Sequence, residues 1–354
     1  MQSILQKTTG IGPQVVKPEH LEGRVAIVTG GALGIGYEVS RALAHAGCKV
    51  IMINRKEEQG QEAISTIQNE KSDAKVDWKE CDMGNLAQIR EVFGGLRESL
   101  DRLDFLVLSA GINTNQFGLD ADGIERHFGV NFLGHFYVCN QLWPLLRKTG
   151  KMENTPPPRV VFEASEMHRL AQLSNIQFRS KDEINDPNLD STARYNRTKL
   201  AMILFAKYGL AGKVIQENND RIYALSVHPG AVNTSMQQQW KDAYPGLTGK
   251  LLSWAMLAIG RDVEQGSYSA LWALTSPKIE EEDLNGYYFS DPDQEGKETS
   301  QASNPELASN LFNLSTTLIE GVLGSDALLD WNVSTVTGKD LKKDDSFQVG
   351  LDDK

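Results

Sequence analysis

Short runs of β-branched and aliphatic residues alternate along the chain with longer stretches whose apolar positions recur at helical spacing. The short runs predict strands at 24–29, 49–54, 75–80, 104–108, 159–164, 221–227 and 286–289. The stretches between them predict helices at 35–46, 57–69, 86–100, 124–147 and 195–211. Strand and helix in alternation imply right-handed crossovers and a parallel sheet covered on both faces. The expected fold class is therefore α/β, a doubly wound parallel sheet. Two segments interrupt the pattern. Asn154-Thr155-Pro156-Pro157-Pro158 must be a non-helical connection. The polar, aperiodic span 166–190, broken by Asp186-Pro187, is long enough to be functional or mobile.

Residues 1–20 and 296–354 lie outside the repeating pattern, leaving 21–295 as the expected catalytic unit. Within the C-terminal extension, 307–322 is apolar at helical spacing, and Lys339-Asp340-Leu341-Lys342-Lys343-Asp344-Asp345 reads as a flexible, solvated tail. A net charge of -11 argues against nucleic acid or an anionic membrane as partner. Cys48, Cys81 and Cys139 are scattered, without zinc-site spacing or disulfide density, and read as small buried residues in a reducing compartment. With no secretory signal and no long apolar run, a cytoplasmic location and no transmembrane segment are expected.

The first predicted strand runs into Gly30-x-x-x-Gly34-x-Gly36 and then into a helical pattern. Strand, glycine turn and helix in that order are the setting for a pyrophosphate site. Gly30 would allow the tight turn, Gly34 close approach of backbone to phosphate, and Gly36 close packing of helix on sheet. The alternative is a turn that merely needs glycine. The second strand ends Asn54-Arg55-Lys56, with no acid to hold the ribose diol of NAD. Asn54 cannot repel a 2′-phosphate and the planar fork of Arg55 can pair with one, so NADP(H) is expected over NAD(H). The alternative leaves Arg55 and Lys56 as solvated helix-start residues. Tyr195 and Lys199 stand four positions apart and would share a helix face, where a cation beside a phenol favours phenolate. Alone, that spacing fits an ordinary amphipathic helix equally well.

The order of elements carries more. Thr29-Gly30-x-x-x-Gly34-x-Gly36, Asp82 after the third strand, Ser109-Ala110-Gly111 after the fourth, Asn131 in a helix, Ser165 after the fifth, Tyr195-x-x-x-Lys199, and Pro229-Gly230-x-x-x-Thr234 after the sixth resemble the short-chain dehydrogenase/reductase family. The resemblance covers roughly 21–290 and implies a Rossmann-type fold. It implies cofactor contacts from Gly30, Leu33, Gly34, Ile35, Gly36, Asn54, Arg55, Asp82, Met83, Ala110, Gly111, Pro229, Gly230, Val232 and Thr234. Asp82 would accept from the adenine amine and Thr234 would bond the nicotinamide carboxamide. Ser165 would hold the substrate oxygen, Tyr195 would exchange its proton, Lys199 would lower the phenol pKa and bind the nicotinamide ribose, and Asn131 would anchor a relay water. No metal is implied.

The implied reaction is hydride transfer between nicotinamide and a ketone or secondary alcohol. Reduction of an activated C=C or an imine, or a non-catalytic dinucleotide-binding regulator, are the alternatives. Val130-Asn131-Phe132-Leu133-Gly134-His135-Phe136, Met167-His168 and the long span before Tyr195 resemble the retinol dehydrogenase-like branch, which points to a lipophilic small molecule. His168 and His228 are read as lining residues. Specificity is expected in 166–190, in 235–259 and in the C-terminal extension; the second could be an apolar lid or an ordinary helix pair. Pairing into a homo-oligomer through the helices bearing Asn131 and Tyr195 is open, since the extensions could cover that face. Glu163, an acid just before Ser165, departs from the family pattern.

Overall fold

The computed structural model describes residues 13–173, 175–230, 232 and 261–332. Strands β1 (Val25–Thr29), β2 (Lys49–Asn54), β3 (Val76–Glu80), β4 (Phe105–Leu108), β5 (Arg159–Glu163), β6 (Tyr223–Val227), β7 (Tyr288–Asp291) and β8 (Gln294–Glu295) form one sheet in the order β3-β2-β1-β4-β5-β6-β7-β8. The neighbours pair in parallel except for the short antiparallel edge β7-β8. The order reverses at β1 and β4, which opens a crevice beyond their C-terminal ends. This is the doubly wound sheet expected.

Every residue of β1, β4 and β5 is buried, so their two faces feed two separate cores. Ile27, Ile51, Leu106, Leu108, Val160 and Phe162 pack under one helical layer, while Ala26, Val28, Met52, Val107, Val161 and Leu225 pack under the other. Helices α1 (Gly34–His45) and α2 (Glu57–Glu70) cover the second face; α3 (Leu86–Ser99), α4 (Gly134–Gly150) and α5 (Ser191–Leu204) cover the first. Burying each large aliphatic or aromatic side chain is worth about 1.5–3 kcal/mol, and a one-residue slip would exchange the two faces, so this pattern fixes the register.

The structure refines several predicted helices. The stretch 124–147 is divided: Glu125 accepts from His127 N and Phe128 N, a π-helical turn follows at Gly129–Leu133, and α4 begins only at Gly134. The helix with Tyr195 starts earlier, because the Asp190 carboxylate caps it by accepting from Ala193 N at 2.9 Å. It then widens into π geometry over Phe205–Ile215. Helix α6 (Val263–Thr275) was not predicted. Gly266 through Leu274 are all buried, so the segment has no polar face to reveal a period.

Helix α7 (Pro305–Leu323) matches the apolar pattern at 307–322 and starts at a cap, where Asn304 accepts from Glu306 N and Leu307 N. Its Phe312 ring meets Phe136 edge-on at 5.2 Å. Beyond it the chain is tied to α4: Leu329 exchanges two hydrogen bonds with the Asn140 side chain, at 2.8 and 2.9 Å, and Tyr137 Oη donates to Ala327 O at 2.9 Å. The start of the C-terminal extension therefore shares the core of the sheet, while the expected tail lies outside the described residues.

Candidate active site

The crevice is a cavity of about 980 Å³ running from the glycine turn to the end of β5. Its wall brings together Gly30, Leu33, Gly34, Ile35, Gly36, Asn54, Arg55, Asp82, Met83, Ala110, Gly111, Ser165, Tyr195, Lys199, Pro229, Gly230 and Val232. Asn131 lies behind this wall, fully buried. Thr234 and the 235–259 segment lie outside the described residues.

At one end the backbone itself forms the cavity wall. Gly30 and Gly34 have φ of +68° and +58°. A Cβ on Gly30 would stand 2.9 Å from Ala110 Cα, and one on Gly36 would stand 2.4 Å from Gly30 O. Only glycine permits this approach. Leu33 caps α1 without a side-chain acceptor, which leaves first-turn amides for an anion. Thr29 Oγ1 accepts from Ser109 N at 3.0 Å and Ala110 N at 3.1 Å, locking the β1 and β4 ends together. Its proton points to His135 Nε2 at 2.9 Å, while His135 Nδ1 bonds Asn131 O at 2.8 Å. Burial pushes His135 down to about 3, so the ring stays neutral in that role.

At the end of β2, Asn54 Oδ1 accepts from Ala32 N at 2.8 Å and so braces the glycine turn. The Arg55 side chain is 65% exposed and approaches Asp82 Oδ2 only at 3.6 Å, leaving its fork available to a ligand. Asp82 Oδ1 accepts from Gly84 N at 2.9 Å. Small residues, glycine backbone and a cavity of this volume fit a dinucleotide.

The chemical end gathers Ser165, Tyr195 and Lys199. Ser165 Oγ accepts from Met167 N at 3.2 Å, and its carbonyl accepts from His168 Nδ1 at 2.7 Å. His168 is fully buried behind the serine rather than lining the cavity; His228 does line it. Lys199 Nζ donates to Glu163 O at 2.6 Å and stands 5.4 Å from the centre of the Tyr195 ring. Burial pulls Lys199 down to about 8. The expected lowering of the phenol does not appear in the chain alone: burial, with the Glu163 charge, holds Tyr195 above its ordinary value. Asn131 spends its side chain on Ile112, accepting from its N–H at 2.7 Å and donating to its carbonyl at 2.9 Å, and reaches Thr198 Oγ1 at 3.3 Å. That bond ties the π-helical turn to the Tyr195 helix.

Three features were not read from the sequence. Arg261 bonds Pro229 O and Asp291, bracing the turn at Gly230. Buried Glu125 accepts from Arg197 Nη2 at 2.9 Å and pairs with His127 at 2.8 Å, joining the Asn131 segment to α5. Burial alone would raise Glu125, but His127 and Arg197 hold it below its ordinary value. Glu163, noted only as unusual, proves to be a buried wall residue. No periodicity announces any of them, because each depends on which distant segments the fold brings together.

A family model described as short chain dehydrogenase matches residues 24–156. An oxidoreductase of Neurospora crassa, bli-4, described as mitochondrial, is 31% identical over 308 residues, 84% of this chain and 72% of that one. The chain belongs to the short-chain dehydrogenase/reductase family. Polyprenol dehydrogenase of Homo sapiens, another relative, is 30% identical over 294 residues, 82% of this chain and 84% of that one. Among solved structures, L-sorbose reductase from Gluconobacter frateurii, complexed with NADPH and L-sorbose, superposes with a TM-score of 0.58 at 18% identity, over 77% of this chain and 96% of that one. The family makes this protein an oxidoreductase. Among the described residues no helix is long and apolar enough to cross a membrane.

Proposed function

We propose that this oxidoreductase is NADP(H)-dependent and interconverts a lipophilic ketone and its secondary alcohol, with 21–295 as the catalytic unit. The observation that carries the reading is the convergence of Ser165, Tyr195 and Lys199 on the cavity whose other end is the glycine turn. When bound, the nicotinamide supplies or takes the hydride. Ser165 holds the substrate oxygen, Tyr195 gives it a proton in reduction or takes one in oxidation, and Lys199 bears the charge beside the phenol. Asn131 keeps the two helices in register. Arg55 meets the 2′-phosphate, and the lack of an acid at the end of β2 removes the usual partner of NAD ribose.

A lipophilic substrate is supported by the apolar rim of the cavity, where Leu33 and Leu119 are 49% and 45% exposed. The name of the polyprenol-oxidising relative points the same way. The three buried thiols suit a reducing compartment such as the cytoplasm. Tyr195→Phe tests the mechanism: cofactor binding should survive while turnover with NADPH falls by about 100-fold or more, the scale of a lost general acid. Near wild-type turnover would sink the reading. A panel of long-chain ketones, quinones, enones and cyclic imines, followed by loss of NADPH absorbance, separates carbonyl from C=C or imine reduction.

A further inference from the structure

The last residue of β5 is a carboxylate to which the reading above gives no task. The Glu163 side chain is 5% exposed, lines the cavity with Ser165, Tyr195 and Lys199, and has no hydrogen-bond partner on Oε1 or Oε2 among the described residues. A buried carboxylate without donors is costly, and a merely structural position would favour an apolar residue. The main chain of the same residue accepts from the Lys199 ammonium, which among the described residues also donates to Met202 Sδ at 3.8 Å. Glu163, Lys199 and Tyr195, none more than 8% exposed, therefore share one buried stretch of the cavity wall.

The neighbouring titratable groups are otherwise engaged. Glu166 bonds Tyr288 and Arg169, His168 turns to the Ser165 carbonyl, and neutral His135 is held by Thr29 and Asn131. His228 lines the cavity and is pushed down to about 4 by burial. The charge acting on Glu163 is Lys199, and Glu163 in turn raises both Lys199 and Tyr195.

We propose that Glu163 is a positioning residue for proton transfer, its buried and unpartnered carboxylate setting the pH at which Tyr195 ionises. With the carboxylate ionised, the phenol holds its proton to higher pH. With it protonated, phenolate forms more readily. The proposal rests on Tyr195 being the acid-base group, and its test has an arm that does not need turnover.

The ultraviolet absorbance of tyrosinate is followed against pH in the protein alone, for the parent and for E163Q, each with Y195F subtracted so that only Tyr195 is read. The kcat/KM profile for NADPH with the best carbonyl of the panel is measured beside it. Both the Tyr195 titration and the controlling limb of the profile should move to lower pH by about one unit in E163Q. E163V removes the charge with an apolar group and should shift the same way, which keeps the test alive if one variant folds poorly. Curves that overlay the parent, or move to higher pH, overturn the proposal; a group with only a packing role would alter stability or kcat without moving the titration. If Y195F turns over normally, the catalytic reading fails, and the absorbance titration still decides whether Glu163 governs the phenol.

Discussion

Replacing Glu163 by glutamine should also change how the fold answers to pH. Burial raises the Glu163 carboxyl from 4.5 to about 8, with Lys199 pulling the other way and losing. A group whose folded pKa lies above its unfolded value contributes fully below the unfolded pKa, and that contribution is lost as pH rises toward the folded one. For Glu163 the window runs from 4.5 to about 8, and the loss across it is on the order of 5 kcal/mol. Lys199, lowered from 10.5 to about 8 by burial, has the opposite sign and regains stability only above that range. Glutamine has the shape of the acid and no ionisation. Thermal unfolding of parent and E163Q should thus diverge as pH climbs from about 5 to about 8, the variant gaining on the order of 5–10 °C in relative Tm. Any unmet hydrogen bond of the amide adds an offset that does not vary with pH, so the slope of the difference is the diagnostic. Parallel Tm curves across that window would show that Glu163 ionises as freely in the fold as out of it, and the argument from burial would fail.

Three further outcomes follow from the geometry. Arg55→Ala should lower kcat/KM for NADPH about 10- to 100-fold and leave NADH little changed, the scale of one charge-assisted pair; equal losses with both cofactors would remove Arg55 from the 2′-phosphate. Glu125→Gln strands the buried Arg197 guanidinium without its counter-charge and should cost about 3 kcal/mol in urea unfolding, with a shift in midpoint and little change in slope; an unchanged midpoint would show that Ile184 O and Glu183 O suffice to hold the arginine. Because α7 and its continuation through Trp331 lie on α4 and the π-helical end of the Tyr195 helix, native mass should be that of one chain; a dimer that persists would place the contact on another face.

The sheet was legible because its residues say the same thing locally and globally: apolar runs bounded by turn residues, with helical stretches between them. The glycine turn was legible for a stronger reason, since Gly30, Gly34 and Gly36 each meet a constraint that side chains violate. Helix α6 was missed by the same logic reversed, because a helix buried all round offers no polar stripe. Tyr195 and Lys199 were legible as residues and not as an electrostatic pair. Their spacing placed the ammonium near the phenol, but the partner Lys199 takes is the carbonyl of a residue 36 positions earlier in sequence. That partner exists only because β5 pairs with β4 and β6 and ends where α5 crosses it, with Glu163 set against Val227. An acid written at a strand end reads as solvated by default. Here β6 pairs alongside it and the fold closes over it, and the same residue becomes the least exposed acid in the cavity wall. What a sequence leaves out at such a site is water. The residues that decide a proton's pKa are therefore those whose burial, rather than whose identity, must be learned from the fold.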